Sequence, residues 1–254
     1  MPPESVLGYA IALAEEVTSV SGGMVVAAYL HGSAALGGWL PSSDVDLLFI
    51  AADDIDGGTL DRVALSLADS DRACPGRGLE CSVVSCAAAA SPRPPWPYLL
   101  HVATGPAEPG GHRVLLGATS PGDGDLLMHY VVCRRAGWPV YGPPPQQMIG
   151  PVGRQAILGY LAGELRWGLE HATEPYAVLN ACRALIYLTD GQVVSKVGGG
   201  EAALRRGLGP AELIRRALDQ QQGRAAEERP RPDAAAFVLA AAAALDAGIR
   251  LQAR

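Results

Sequence analysis

The 254-residue sequence predicts an α+β chain, with an N-terminal α/β domain built on a mixed sheet and a C-terminal α-helical bundle. Three observations predict it. Apolar runs of strand length, at residues 24–30, 45–51 and 78–84, are interleaved with amphipathic segments through the first half, the pattern of a sheet covered by helices. Gly142-Pro143-Pro144-Pro145 then breaks the chain, because consecutive prolines continue neither a helix nor a central strand. Beyond that break every segment reads as helix. The domains are expected at residues 1–147 and 148–254.

Taken in order, residues 3–20 read as a helix, with Leu7, Ile11, Ala14 and Val17 near one face and Glu15-Glu16 on the other. Ser21-Gly22-Gly23 ends it, and 24–30 is the first strand. A Gly-Ser turn leads into a short helix at 33–37, closed by Gly37-Gly38, and strand 45–51 follows. Residues 59–70 form an amphipathic helix, because Leu60, Val63, Ala64, Leu67 and Ala68 recur at helical spacing. Strand 78–84 carries one acid, Glu80, near its start; on pattern alone such a residue marks an edge strand or a loop. Residues 87–124 are rich in Ala, Pro and Gly and predict a long irregular region, of the kind that often carries function; Trp96, Tyr98 and His101 lie in it. Helix 123–137 and short strand 138–141 complete the first half. The helices expected after the break are 153–171, 175–190, 201–206, 210–221 and 233–251, with 223–232 a solvated linker.

Composition narrows the function. A hydrophobic content of 49% is ample for a core, and a net charge of −6 argues against a nucleic-acid surface, which needs clustered Lys and Arg. That charge suits a cationic small molecule better. Cys74, Cys81, Cys86, Cys133 and Cys182 form no Cys-x-x-Cys pair, so reduced thiols are expected and a zinc site is not. Met1-Pro2-Pro3-Glu4 lacks the basic start of a signal peptide, and the Ala-rich run 234–247 reads as too short and too weakly apolar to span a bilayer. The expectation is a soluble, cytoplasmic monomer with no membrane partner.

The chemistry concentrates in Tyr29-Leu30-His31-Gly32-Ser33-Ala34-Ala35-Leu36-Gly37-Gly38 and the following Ser43-Asp44-Val45-Asp46. Side chains at i and i+2 of a strand share a face, so Asp44 and Asp46 project side by side. Two adjacent carboxylates resist ionising together unless a cation sits between them. Hard oxygen ligands suit Mg²⁺, which takes one or two carboxylates plus substrate phosphates. Gly32, with no Cβ, lets the backbone approach a ligand, and Ser33 offers a hydroxyl and an N–H to a phosphate. Together they read as a metal–nucleotide site. The competing reading is a turn and a strand whose aspartates merely cap a loop.

Gly32-Ser33, Gly37/Gly38 and Ser43-Asp44-x-Asp46 resemble the signature of the polymerase-β-type nucleotidyltransferase superfamily. Within it, the run from His31 through Pro41 to Leu48 resembles the aminoglycoside 3''-adenylyltransferases, which modify streptomycin and spectinomycin. The resemblance implies MgATP as co-substrate, Asp44 and Asp46 as Mg²⁺ ligands, and Gly32 and Ser33 as the phosphate seat. It also implies that Glu80, in a matching Leu-Glu-x-x-Val-Val strand, is the catalytic base. Residues 87–124 depart from the family, and no substrate contact is carried over there.

In the helical half, Asn180, Arg183 and Tyr187 share one helix face. An arginine in an apolar helix wants an anion, either a phosphate or a local acid such as Glu170 or Glu174. Lys196 lies in a Gly-flanked loop and on pattern alone is a surface lysine. The resemblance implies instead that Arg183 and Lys196 reach across a cleft to the nucleotide phosphates. A polycationic acceptor needs carboxylates and an aromatic surface, and Glu164, Trp167, Glu170 and Glu174 offer them. Trp167 matches a substrate-holding Trp of the family only across a gap, and each of these residues reads equally as a solvated helix face. The function expected is transfer of AMP from ATP to a hydroxyl of an aminoglycoside- or aminocyclitol-like acceptor. The alternatives are the same chemistry on another small molecule or a protein, or a non-catalytic nucleotide-binding protein.

Overall fold

The computed structural model describes residues 1–252, and the side chains of all of these but 71, 72 and 252. The chain divides into two compact units, Met1–Val152 and Gly153–Arg254.

The first unit runs α1 (Glu4–Val20), β1 (Val25–Leu30), α2 (Gly32–Ala35), β2 (Val45–Ala51), α3 (Gly57–Ala68), β3 (Leu79–Ser85), α4 (Cys86–Ala90), β4 (Leu100–Thr104), β5 (His112–Leu116), α5 (Leu126–Ala136), β6 (Trp138–Tyr141) and α6 (Pro145–Met148). Its strands form one sheet in the order β5-β4-β3-β2-β1-β6. Only β2 and β3 pair in parallel; the other neighbours are antiparallel, so the sheet is mixed. A parallel pair needs a crossover, and α3 supplies it, started by Asp56, whose carboxylate accepts the Thr59 N–H at 3.0 Å.

Alternation along β2 sorts the two faces. Val45, Leu47, Phe49 and Ala51 join Val6, Ala10 and Leu13 of α1 and Val63 and Leu67 of α3 in one core cluster. Leu48 and Ile50 point the other way, into a second cluster with Tyr29, Val84, and Leu126, Tyr130 and Cys133 of α5. Asp46 stands at an even position and therefore belongs to this second, α5-covered face, and Asp44 immediately precedes the strand.

The largest departure from expectation falls in residues 87–124. They hold α4, β4 and β5, which complete the sheet. β4, Leu-His-Val-Ala-Thr, is buried at every position and β5, His-Arg-Val-Leu-Leu, is exposed at every position, so neither shows the half-buried alternation that marks a strand in sequence. With β4 in place, β3 is an interior strand, and Glu80 is not an edge residue.

The second unit is helical: α7 (Arg154–His171), α8 (Glu174–Asp190), α9 (Lys196–Arg206), α10 (Ala211–Gln221) and α11 (Pro232–Gln252). α8 is its axis, packed on α7, α9, α10 and α11, and Val178, Leu179, Ala181, Cys182, Ala184 and Ile186 bury it on most sides. Gly191, at φ +68°, ends α8 in the left-handed conformation that glycine adopts without strain. α9 starts earlier than expected because Gly198-Gly199-Gly200 lies within it: a Cβ on Gly199 would come 2.7 Å from Arg183 Cγ, and one on Gly200 2.8 Å from Leu179 Cδ2. The glycines are there for close helix crossing, not for a loop. Over Pro232–Leu251, α11 is long and apolar enough to cross a membrane by length and composition, more than the Ala-rich run alone suggested. Its Ala234, Val238, Ala241, Ala242 and Leu245 are buried where it packs on α7 and α8, and about a third of the span is buried in all.

Candidate active site

The acids of the first unit meet through strand register. Asp46 of β2 is the direct partner of Glu80 of β3 in the parallel ladder, so the two side chains leave the same face on neighbouring strands. Asp44 precedes Asp46 by one pleat, and its charge acts on Glu80, as do those of Asp123 and Asp125 from the segment leading into α5. Burial raises the Glu80 pKa above the ordinary glutamate value; His101 pulls it back, and the carboxylates of Asp44, Asp125 and Asp123 add to the rise. Ser82, two residues along β3, lies opposite His101 of β4. Ser82 Oγ and His101 Nδ1 are 3.0 Å apart in a buried hydrogen bond. Burial lowers the His101 pKa, against the opposing pull of the Glu80 and Asp123 carboxylates. His101, Asp123 and Asp125 are neighbours of Glu80 that sequence reasoning missed; the first was hidden in a strand that did not read as one.

Gly32 touches the acids. Its φ is +59°, and a Cβ there would fall 1.7 Å from Asp46 Oδ2. Glycine is thus required twice, by backbone conformation and by contact. The His31 N–H donates to the Asp46 carbonyl at 2.9 Å, and Gly38 N–H to the Ser33 carbonyl at 2.9 Å, which folds the turn back on itself. Ser33 Oγ is buried with no hydrogen-bond partner, which suits a hydroxyl held for a ligand oxygen. Beneath it the rings of His31 and His129 pack with centroids 4.8 Å apart. Burial lowers both pKa values; His129 lowers that of His31 further, while the charges of Asp123 and Asp125 oppose the fall at His129. His31 Nε2 and His129 Nδ1 have no partner.

Asp44 is held by a residue that the sequence did not single out. Arg77 donates Nε–H to its Oδ1 at 3.0 Å and Nη2–H to its Oδ2 at 2.7 Å. Among the described residues no three His, Cys, Asp or Glu side chains converge to enclose a metal ion. The donor set is instead two hard carboxylates, one on β2 and one just before it, with a partnerless hydroxyl in the preceding turn. That set fits Mg²⁺ of the kind whose remaining ligands are phosphate oxygens and water.

In the second unit, Arg183 donates Nε–H to the Val194 carbonyl at 2.9 Å and Nη1–H to Asn180 Oδ1 at 2.8 Å. Lys196, the first residue of α9, sets its Nζ 4.5 Å from the centre of the Tyr176 ring, a cation–π contact. Tyr176 in turn hydrogen-bonds Glu164 and meets the edge of Trp167 at 6.1 Å. Trp167 is 49% exposed and stacks on His171 at 5.2 Å. Lys196, Tyr176, Glu164 and Trp167 are therefore one connected group, and Tyr176 is the member that sequence reasoning missed. Glu170 is exposed. Glu174 must be corrected as a substrate ligand: it is 0% exposed, and its carboxylate accepts from Arg216 Nε at 2.6 Å and from the Arg231 N–H at 3.1 Å. A carboxylate buried and used in this way secures the start of α8 to the 223–232 segment and has no face left for an acceptor.

Comparison with known sequences and structures agrees with this architecture. Residues 11–67 match the nucleotidyltransferase domain, and residues 154–245 match the aminoglycoside adenylyltransferase C-terminal domain. The chain is an enzyme of the nucleotidyltransferase class. Within that class it is aminoglycoside adenylyltransferase-like. Its fold is that of spectinomycin adenyltransferase AAD(9) from Enterococcus faecialis, solved with ATP and spectinomycin, with a TM-score of 0.65 at 14% identity over 93% of this chain and 98% of that one. A comparison with curated proteins returned no match.

Proposed function

We propose that the enzyme transfers AMP from MgATP to a hydroxyl group of an aminoglycoside- or aminocyclitol-type acceptor. The observation that carries this reading is the pairing of Asp46 with Glu80 on adjacent parallel strands, with Asp44 immediately before the first of them. Asp44 and Asp46 would hold Mg²⁺, which when bound supplies charge neutralisation at the triphosphate. Gly32 and Ser33 seat the phosphates. Glu80 accepts the proton of the acceptor hydroxyl as its oxygen attacks the α-phosphorus, and pyrophosphate leaves with the electrons of the broken bond. A glutamate whose pKa is raised by burial is better matched to that task near neutral pH, and such base help is worth roughly 10²–10⁴-fold. Arg183 and Lys196 add fixed positive charge for the phosphates, and Trp167 and Glu170 are the acceptor contacts. The enzyme acts as a soluble, cytoplasmic monomer on a small molecule, without nucleic acid.

Two measurements test this. Pyrophosphate release against a panel of aminoglycosides should occur with streptomycin or spectinomycin; release only with some other hydroxyl compound would move the acceptor to another class while keeping the chemistry. Glu80→Gln should bind MgATP as the parent does and lose at least 10²-fold in turnover. Parental turnover in that variant would remove Glu80 from the mechanism.

The second reading, the same reaction on a different acceptor, is favoured by one observation. Asp123, which acts on Glu80, comes from the segment 87–124, where this chain departs from the family it resembles.

A further inference from the structure

β4, the strand that the sequence conceals, places a buried polar pair beside the proposed base. Ser82 and His101 are both buried, stand opposite one another in the β3–β4 ladder and share the hydrogen bond between Oγ and Nδ1. The same register sets Glu80 opposite Ala103. His101 is therefore the diagonal neighbour of Glu80 on the face they share, a separation that an aromatic ring and a long side chain can bridge. Burying an imidazole and a hydroxyl costs free energy that an apolar pair would not. The core on this face is already supplied by Leu48, Ile50, Val84 and the side chains of α5, so the polar pair points to a task at the site.

The surroundings of the ring fix where its proton sits. The charges that act on His101 come from Glu80 on β3, Asp123 before α5, Arg113 on β5 and His129 on α5. Burial most of all holds the ring to a single proton, and Glu80, then Asp123, are the carboxylates that draw it. That proton belongs on Nε2, the nitrogen that Ser82 does not engage, and Nδ1 then accepts from the Ser82 hydroxyl. The bond made by one ring nitrogen thus sets the state of the other.

We propose that His101 is a positioning residue for the base: its Nε2–H donates to one oxygen of the Glu80 carboxylate and aims the other at the acceptor hydroxyl, while Ser82 holds the ring from behind. Catalytic hydrogen bonds often close only when the site is loaded, and this one closes with the acceptor in place. β2 fixes the backbone of Glu80 through the ladder, and β4 supplies the donor that fixes its side chain. The inference rests on the reading of Glu80 as the base.

The test is steady-state adenylation, with MgATP, of whichever aminoglycoside the parent modifies. The variants are His101→Leu, His101→Gln and Ser82→Ala/His101→Leu, and His101→Leu is also combined with Glu80→Gln. His101→Leu should lower kcat about ten- to a hundredfold, as for one hydrogen bond to a charged group, with KM for ATP and acceptor unchanged. His101→Gln, which keeps a donor, should recover most of that loss. Ser82→Ala/His101→Leu leaves no buried polar atom of the pair without a partner and should show the same loss, which answers a misfolded His101→Leu. In the Glu80→Gln background, adding His101→Leu should change turnover by less than about twofold, since the group it positions is gone. Nitrogen NMR of the ring, assigned by the signals that His101→Gln removes, should show the Nε2–H tautomer. Parental kcat in both Leu variants, a full further loss in the Glu80→Gln background, or the Nδ1–H tautomer would each overturn the role of His101 and leave the proposed reaction standing. Parental turnover in Glu80→Gln alone would instead remove the base, and the inference with it.

Discussion

A single methyl group at residue 32 would collide with the Asp46 carboxylate and force a β-carbon onto a backbone at φ +59°. Strain of that kind costs about 1–3 kcal/mol. Gly32→Ala should therefore lower unfolding stability by that amount in a urea titration and displace Asp46, weakening MgATP binding as well. A variant with parental stability and affinity would show that the turn does not press on the acid. At this scale the sequence was informative where chemistry is local. The i, i+2 spacing of Asp44 and Asp46 and the glycine beside them are legible because strand alternation and the missing Cβ are properties of consecutive residues. Arg77 was not legible, since its contact with Asp44 depends on two backbone segments meeting 33 positions apart. His101 was missed for a related reason: only the pairing of β4 with β3 brings it opposite Ser82.

Amphipathic helices were the most legible elements: α1, α3 and α5 were read to within a few residues because each shows an apolar face of regular period. β2 and α8, covered on most sides, were legible instead from their dense apolar runs. β4 and β5 offer neither signal: β4 is covered but carries His and Thr, and β5 is open throughout. The start of α9 was hidden because three consecutive glycines read as a loop until the proximity of α8 explains them. The entry to α8 is the place where an element-level prediction is sharpest. Glu174 ties α8 to α10 through Arg216 and to the 223–232 segment through the Arg231 N–H. Its own N–H donates to the Glu228 carbonyl at 2.7 Å. Removing one partner of a buried pair costs about 3–5 kcal/mol, and Arg216, at 27% exposed, recovers some hydration. Glu174→Gln should thus destabilise the helical unit by about 3 kcal/mol while leaving acceptor KM unchanged. A raised KM with normal stability would return Glu174 to the acceptor.

For the molecule as a whole, acid sensitivity should originate in the first unit. His31 and His129 are both held below the ordinary histidine value of 6.5 by burial. The unfolded chain binds protons at these positions from about pH 6.5 downward, whereas the folded chain does not. The stability they permit is therefore complete above that pH and is lost as pH falls through it toward the folded values. Melting temperature followed from pH 7.5 to 5 should drop, and the drop should be smaller in a His31→Asn/His129→Gln double variant. Equal slopes in the two proteins would place the acid sensitivity elsewhere.

The ladder that joins Asp46 to Glu80 has an implication for how such an enzyme can change its preferences. The spacing of those two groups is inherited from the distance between hydrogen-bonded strands, so no connecting segment has to be measured to preserve it. Insertions or deletions in the links on either side of β5, or among the helices after 153, can remodel what is recognised without moving that ladder. A single residue gained or lost inside β2 or β3, by contrast, turns one carboxylate through the sheet to the opposite side and ends the reaction outright.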